Sequence, residues 1–332
     1  MLVARQTPAA IIILKADEVV SAEACAGVRI DRLERVSSTK KGSSDQVLCL
    51  RKNMLAYRRT SAARMVKHSE SSFLDGGPIV RAPSGATASF ADDAIEVVVT
   101  RLDVRLEAVC ASAALLSDAE RQRANRFAFD RDRRRFTFAR ARLRQLLAAR
   151  LGMRPESVEL TYGEHGKPSL ARRCADSDLR FNVSHSDDVA VYAFALGREV
   201  GIDVETVRAI RDADHIAARF FSRRENEVYR VLDPRDKPLG FFNCWTRKEA
   251  FIKALGDGLY HPLDRFDVSL APGEPAGILR VEGTPGDACG WALHSFLPGP
   301  GLIGAIVVRK VADDLASKAC PERFALRSMR RR

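Results

Sequence analysis

No C-x-x-C occurs among the seven cysteines, which are scattered at Cys25, Cys49, Cys110, Cys174, Cys244, Cys289 and Cys320. Odd in number and without a histidine at zinc spacing, they argue against a disulfide framework and against structural zinc, and they fit a reducing compartment. Long apolar runs are missing too. The run "PAAIIIL" at 8–14 is too short to cross a bilayer, and Lys15, Asp17 and Glu18 follow where a signal peptide would carry small residues. A cytoplasmic protein without a membrane span is the expectation. Walker spacing is absent, so the chain has no P-loop. Acidic residues are in deficit: 43 Asp and Glu face 54 Lys and Arg, leaving a formal charge of +11. Such a surplus points to an anionic partner (nucleic acid, a phosphate-rich cofactor or an acidic protein) without choosing among them.

What is present begins after a poor start. Residues 1–92 contain "RVSSTKKGSSDQ" and "GGPIVRAPSGATASFADD", rich in Ser, Gly, Pro and charge, with no sustained apolar period between them. Such composition recovers little of the entropy lost on ordering. The stretch is expected to be a largely unstructured extension, or the product of a start codon placed too far upstream of Met54 or Met65. Residues 311–332, ending in "RSMRRR", read as a solvated basic tail.

Between these lies a well-punctuated region. Strands are expected at 95–104, 157–162, 179–186, 188–196, 199–207, 266–270, 277–281, 291–296 and 302–308. Ser117 with Glu120, and Ser222 with Glu225, have the capping-box spacing that starts a helix. Phe136, Leu143, Leu146, Leu147 and Leu151 form a helical stripe closed by Gly152, and a second long helix covers about 240–255. Arg126-Phe127 returns as Arg219-Phe220 at an offset of 219 − 126 = 93, and each is followed by a long helix ending in Leu-Gly. The order helix, helix, strands thus occurs twice. We expect an α+β fold of two similar halves in pseudo-twofold arrangement, 93–199 and 200–310, with a ligand cleft between them.

The chemistry sits in three short segments. In "GIDVE", Asp203 and Glu205 are two apart on a strand and share a face, while Ile202 and Val204 point to a core. Two like charges on one face are relieved by a hard divalent cation, which takes oxygen ligands, although an acidic outer face needs no metal. In "WTRKEAFIKALGDG", Glu249 and Lys253 are i, i+4 and share a helix face. Three carboxylates with a lysine reaching past them suit phosphoryl transfer, where positioning and charge neutralisation dominate. Otherwise Glu249 and Lys253 are a plain helix pair worth about 0.3–0.5 kcal/mol. In "FNVSHS", His185 at a strand end beside Ser184 and Ser186 is placed to donate to phosphate, though a lone histidine is commonly structural. The turn "GEHGKP" (163–168), with two glycines and Lys167, admits close approach of backbone to a flat or anionic ligand. The cluster Arg131, Arg133, Arg134 and Arg135 is either a solvated helix face or a reservoir of phosphate ligands.

In order and spacing, "FNVSHS…GIDVE…WTRKEAFIKALGDGL" resembles the 4′-phosphopantetheinyl transferases of the surfactin-synthetase-activating type; the strand and helix glutamates are 249 − 205 = 44 residues apart. The resemblance covers about 95–310. It implies that Asp203, Glu205 and Glu249 bind Mg²⁺ with the pyrophosphate of coenzyme A. It also makes Glu249, or a water it holds, the base for a serine hydroxyl, and has Lys253 neutralise the breaking pyrophosphate. By the same resemblance Lys248 borders the site, Ser184 and His185 contact coenzyme A phosphates, Gly166, Lys167 and Pro168 border the adenine, and Arg123 and Arg135 hold phosphates. One position departs from the family: Glu120 stands where a phosphate-binding lysine is expected, so Arg121 or Arg123 would have to take over the 3′-phosphate.

The implied reaction moves phosphopantetheine from coenzyme A to a serine of an apo acyl or peptidyl carrier protein, releasing 3′,5′-ADP. The acidic carrier would account for the basic charge, with neither nucleic acid nor membrane as partner. A monomer is expected, since the second half supplies what another subunit would. A metal-dependent nuclease commonly needs a lysine two residues after the strand glutamate, where this chain has Val207. A nucleic-acid binder would leave the carboxylates without purpose. A binding-only relative would not need the carboxylate triad and Lys253 intact.

Overall fold

The computed structural model describes residues 80–81, 87–89, 95–163, 166–171, 177–256, 262–282 and 287–310. Most of the 1–92 extension, the basic tail, and Glu164 and His165 of the glycine turn lie outside these residues. Within the extension two short strands are described, β1 (Val80–Arg81) and β2 (Thr87–Ser89).

Alternating apolar residues build the next strand, β3 (Ile95–Arg101), and three helices follow: α1 (Leu106–Ala113), α2 (Asp118–Asn125) and α3 (Asp130–Leu151). A small hairpin of β4 (Leu160–Tyr162) and β5 (Pro168–Leu170) leads to β6 (Leu179–Ser186), β7 (Val189–Leu196) and β8 (Val200–Thr206). Then come α4 (Ala213–Phe220), α5 (Arg223–Val231), α6 (Lys237–Leu255), β9 (Phe266–Val268), β10 (Ile278–Val281), β11 (Trp291–Leu297) and β12 (Leu302–Arg309). Both expected capping boxes are formed, with both reciprocal bonds at Ser117–Glu120 and at Ser222–Glu225. Gly152 and Gly256 end α3 and α6 in the left-handed region, at φ 65° and 85°. The helices α1 and α4 have no counterpart in the sequence reading. Each is eight residues long and buries only two side chains, too few turns for a periodic stripe to stand out.

The strands form two four-stranded sheets, in the orders β2-β3-β7-β6 and β1-β11-β12-β8, antiparallel apart from the short β1–β11 pair. One face of each sheet enters a shared core: Val97, Val99, Val191 and Ala193 from the first, Ile202, Val204, Ile306 and Val308 from the second. The outer face of the first sheet is covered by α3 through Leu143, Leu147 and Ala148. The outer face of the second is covered by α6, which packs on β8 and β12. This is the α+β arrangement of two similar helix-covered sheets.

The repeat is real, but its register differs from the Arg-Phe echo. Arg126 caps the C-terminus of α2, after the first capping box, whereas Arg219 and Phe220 lie in α4, before the second. The equivalent features are buried polar hubs. In the first half Arg144 of α3 pairs with the capping glutamate Glu120 at 2.7 Å and donates to the carbonyls of Pro155 and Val158. In the second half Lys248 of α6 pairs with the capping glutamate Glu225 at 2.8 Å and donates to the carbonyls of Leu263 and Phe266. In both halves the two carbonyls belong to the first residue of a single 3₁₀ turn and to the residue just after it.

Candidate functional site

The site grows from the contact between α6 and β8. Alternation along β8 sends Gly201, Asp203 and Glu205 to the face opposite Ile202 and Val204. A side chain at Gly201 would sit 2.1 Å from the Ala250 carbonyl oxygen and 2.3 Å from the Ala254 nitrogen. Glycine is therefore required there for the helix to lie directly on the strand. That close approach brings Glu249 and Lys253, which flank Ala250 and Ala254 in sequence, against the carboxylate face.

Lys253 reaches over the edge of β8. Its Nζ donates to Asp203 Oδ1 at 2.6 Å, Ser184 Oγ at 3.0 Å and the Ile202 carbonyl at 3.1 Å, which uses all three ammonium protons. Ser184 also donates to Asp203 Oδ1 at 2.8 Å. Asp203 is only 4% exposed, yet its Oδ2 is buried with no hydrogen-bond partner. An orphaned buried carboxylate oxygen carries a desolvation cost and is a fitting donor for a hard cation. Glu205 accepts from Ser186 at 3.0 Å, and Glu249 is 1% exposed. Among the described residues, however, no three His, Cys, Asp or Glu side chains stand close enough to hold one metal ion. The expected carboxylate triad shares the region without forming a finished cage.

Ser184 and His185 are not brought together. In β6, Asn182, Ser184 and Ser186 oppose the inner-face residues Ala193, Val191 and Val189, whereas His185 opposes the outer-face Ala190. His185 is therefore on the α3 side of the strand, away from Asp203. The even-numbered polar residues instead line the edge of β8. Asn182 accepts from the Ile202 N–H at 3.0 Å, and Ser186 accepts from the Thr206 N–H at 3.1 Å.

Lys248 requires a correction. It was expected to border coenzyme A, but it points away from β8 and is 1% exposed. Its ammonium is spent on Glu225 and two carbonyls, with the Phe266 ring centroid 4.2 Å away. Burial pushes the Glu225 carboxyl above its ordinary value, and Lys248 pulls it back. Neighbouring Arg247 is also buried, bonded to the Ser269 carbonyl and hydroxyl, and burial lowers it to about 10.

The departure at Glu120 is explained by the same architecture. It closes the α2 capping box and pairs with Arg144, so it is a structural carboxylate rather than an altered phosphate ligand. Arg123 is exposed and lies 5.4 Å from the Phe136 ring. Arg135 donates twice to Asp103, at 2.8 and 2.7 Å, and this lowers the Asp103 carboxyl below its ordinary value. Gly166, at φ 77°, makes the turn before Lys167 and Pro168. Lys167 Nζ lies 3.5 Å from the Ala254 carbonyl and 3.5 Å from Glu199, placing this turn at the Lys253 end of α6. Burial lowers the Lys167 ammonium, with Glu199 opposing. Cys110 and Cys244 are free, while Cys289 is disulfide-bonded, one pairing that the scattered spacing did not foretell.

An α+β protein of two helix-covered sheets, with a lysine–aspartate–serine cluster where their edges meet, is matched by two family models. Residues 104–196 match the 4′-phosphopantetheinyl transferase N-terminal model, and residues 199–296 match the 4′-phosphopantetheinyl transferase superfamily model. The 4′-phosphopantetheinyl transferase HetI of Nostoc sp. is 41% identical over 196 residues, 59% of this chain and 79% of HetI. The 4′-phosphopantetheinyl transferase Sfp of Bacillus subtilis is 31% identical over 157 residues, 47% of this chain and 67% of Sfp. The human L-aminoadipate-semialdehyde dehydrogenase-phosphopantetheinyl transferase is 33% identical over 161 residues, 46% of this chain and 52% of that protein. The chain belongs to the 4′-phosphopantetheinyl transferase superfamily.

Proposed function

We propose that the protein transfers the 4′-phosphopantetheine of coenzyme A to a serine of an apo acyl or peptidyl carrier protein, leaving 3′,5′-ADP. The observation that carries this reading is the Lys253–Asp203–Ser184 cluster beside the unpartnered Asp203 Oδ2, in a chain of this family. Asp203, Glu205 and Glu249 would hold Mg²⁺, which supplies charge neutralisation at the pyrophosphate when bound. The buried, unpartnered Asp203 Oδ2 supports this.

Glu249 accepts the proton of the attacking serine hydroxyl, and its near-complete burial beside β8 keeps that carboxylate away from competing water. The serine oxygen forms its bond to the β-phosphorus of coenzyme A, and the bond from that phosphorus to the bridging oxygen breaks. Lys253 faces the departing phosphate. Because its three protons are already engaged, it must exchange a neutral partner, Ser184 or the Ile202 carbonyl, for a phosphate oxygen. Gly166, Lys167 and Pro168 would border the adenine, supported by their position at the same end of α6. Arg123 is open to solvent for a phosphate, and Arg135, held by Asp103 through Nε and Nη2, has further N–H donors to offer one.

An acidic carrier, a monomeric enzyme and a cytoplasmic setting complete the reading. Among the described residues no helix is long and apolar enough to cross a membrane. With a net charge of +11, encounter with an acidic carrier should slow as salt rises. The test is the mass of an apo carrier after incubation with the protein, coenzyme A and Mg²⁺. A gain of one phosphopantetheine that a chelator abolishes is expected. Carrier binding without any gain across fatty-acid, polyketide and peptide carriers would leave a binding-only relative.

A further inference from the structure

The two serines of "FNVSHS" are both buried, at 8% and 0% exposure, and both are aimed at carboxylates. Ser184 lies 19 residues before Asp203, and Ser186 lies 19 residues before Glu205. On each strand the residues are two apart, so β6 presents a pair of hydroxyls in step with the pair of carboxylates on β8. Each hydroxyl accepts one bond, Ser184 from Lys253 Nζ and Ser186 from the Thr206 N–H, and donates its proton to its carboxylate, with Thr206 Oγ1 also 3.3 Å from Ser186 Oγ. The ladder joins two different sheets, because β6 belongs to one and β8 to the other.

We propose that Ser184 and Ser186 are positioning residues: from the first sheet they lock Asp203 and Glu205 of the second in the orientation that leaves Asp203 Oδ2 unpartnered for the cation. The inference rests on the metal reading given above. Partners that orient ligating carboxylates typically change metal affinity or activity by about 10–100-fold when removed. Without its serine, Asp203 would be free to turn both oxygens onto Lys253, and Glu205 to turn towards solvent.

The experiment uses the full chain loaded with coenzyme A and titrated calorimetrically with Mg²⁺, with carrier modification measured in parallel. Ser186→Ala should weaken Mg²⁺ binding about 10-fold and lower kcat by a similar factor, leaving the KM for coenzyme A within about twofold. Ser184→Ala should also weaken Mg²⁺ binding, and Ser186→Thr, which keeps the hydroxyl, should restore it. If Ser186→Ala fails to fold, the Ser184 variant carries the test. Ser184→Ala should also add little in an Asp203→Asn background, since it acts through that carboxylate. Wild-type Mg²⁺ affinity in a folded alanine variant would overturn the serine ladder alone. Absence of Mg²⁺ binding by the wild-type protein would overturn the metal reading, and the ladder with it.

Discussion

The helices α3 and α6 do the same mechanical job and differ in chemistry. Each covers the outer face of a four-stranded sheet, ends on a left-handed glycine, and sends one buried cation to the glutamate of a capping box and to carbonyls around a 3₁₀ turn. Against its sheet, however, α3 presents Leu143, Leu147 and Ala148. The α6 helix presents small residues at the contact, Ala250 and Ala254 over Gly201, and uses the freed space for Glu249 and Lys253. Its buried segment also includes Asn243, Arg247 and Lys248. One half fills this contact with apolar side chains, and the other places the residues of the proposed chemistry there. The polar hub is common to both, so it belongs to the architecture even where it touches the signature motif.

The sharpest break of the comparison is Glu249→Gln, which has no counterpart on α3. Carrier modification should fall by about 10²–10⁴-fold, the size of a lost general base, with circular dichroism unchanged. Activity near wild type at saturating Mg²⁺ would sink the assignment. Next come the two hubs: Lys248→Met leaves buried Glu225 without its cation and should cost about 3–5 kcal/mol in urea unfolding, whereas Arg144→Met leaves Glu120 with Arg140 at 3.7 Å and should cost less. Only Lys248→Met should also reduce turnover of the folded fraction, because its helix carries Glu249. Equal turnover losses would erase the distinction drawn here.

Gly201→Ala should cost about 1–3 kcal/mol by wedging α6 off β8, with turnover falling further than stability accounts for. Gly152→Ala and Gly256→Ala should each cost only about 1–2 kcal/mol, since the added methyl meets open space and only the left-handed conformation is penalised. A thermal melt that separates the two sites would reveal a difference between the helix ends that the structure does not show. The smallest effect is in acid. Hydrogen bonds from Arg135 hold the Asp103 carboxyl below its ordinary 3.8. Its contribution is therefore fully present above that value and is lost as pH falls through the lowered one. Asp103→Asn should flatten the acid limb of the stability curve slightly, and a steeper limb would contradict the pairing.

Much of this was legible in the chain. Both capping boxes, the two long helices with their terminal glycines, and the alternation of Ile202 and Val204 against Asp203 and Glu205 depend on residues three or four positions apart, or two in a strand. Local geometry alone sets such relations. Lys248 was misread for the complementary reason: beside Glu249 in sequence, it lies about 100° round the helix, and only the position of Glu225, 23 residues upstream, shows which way that turns it. Strand alternation puts His185 on the other face of β6 from Ser184, a separation that the rule applied to "GIDVE" also predicts for "FNVSHS".

The sequence by itself determined the class of chemistry, the elements that carry it and the family, because these are written in short spacings and in residue types with few other uses. Tertiary structure alone decided that the cation of α3 and that of α6 are equivalent, that Gly201 lets α6 lie on its strand, and that two serines of one sheet face two carboxylates of the other. Each of those depends on where separate segments meet, and burial and edge pairing settle that across distances no local pattern spans.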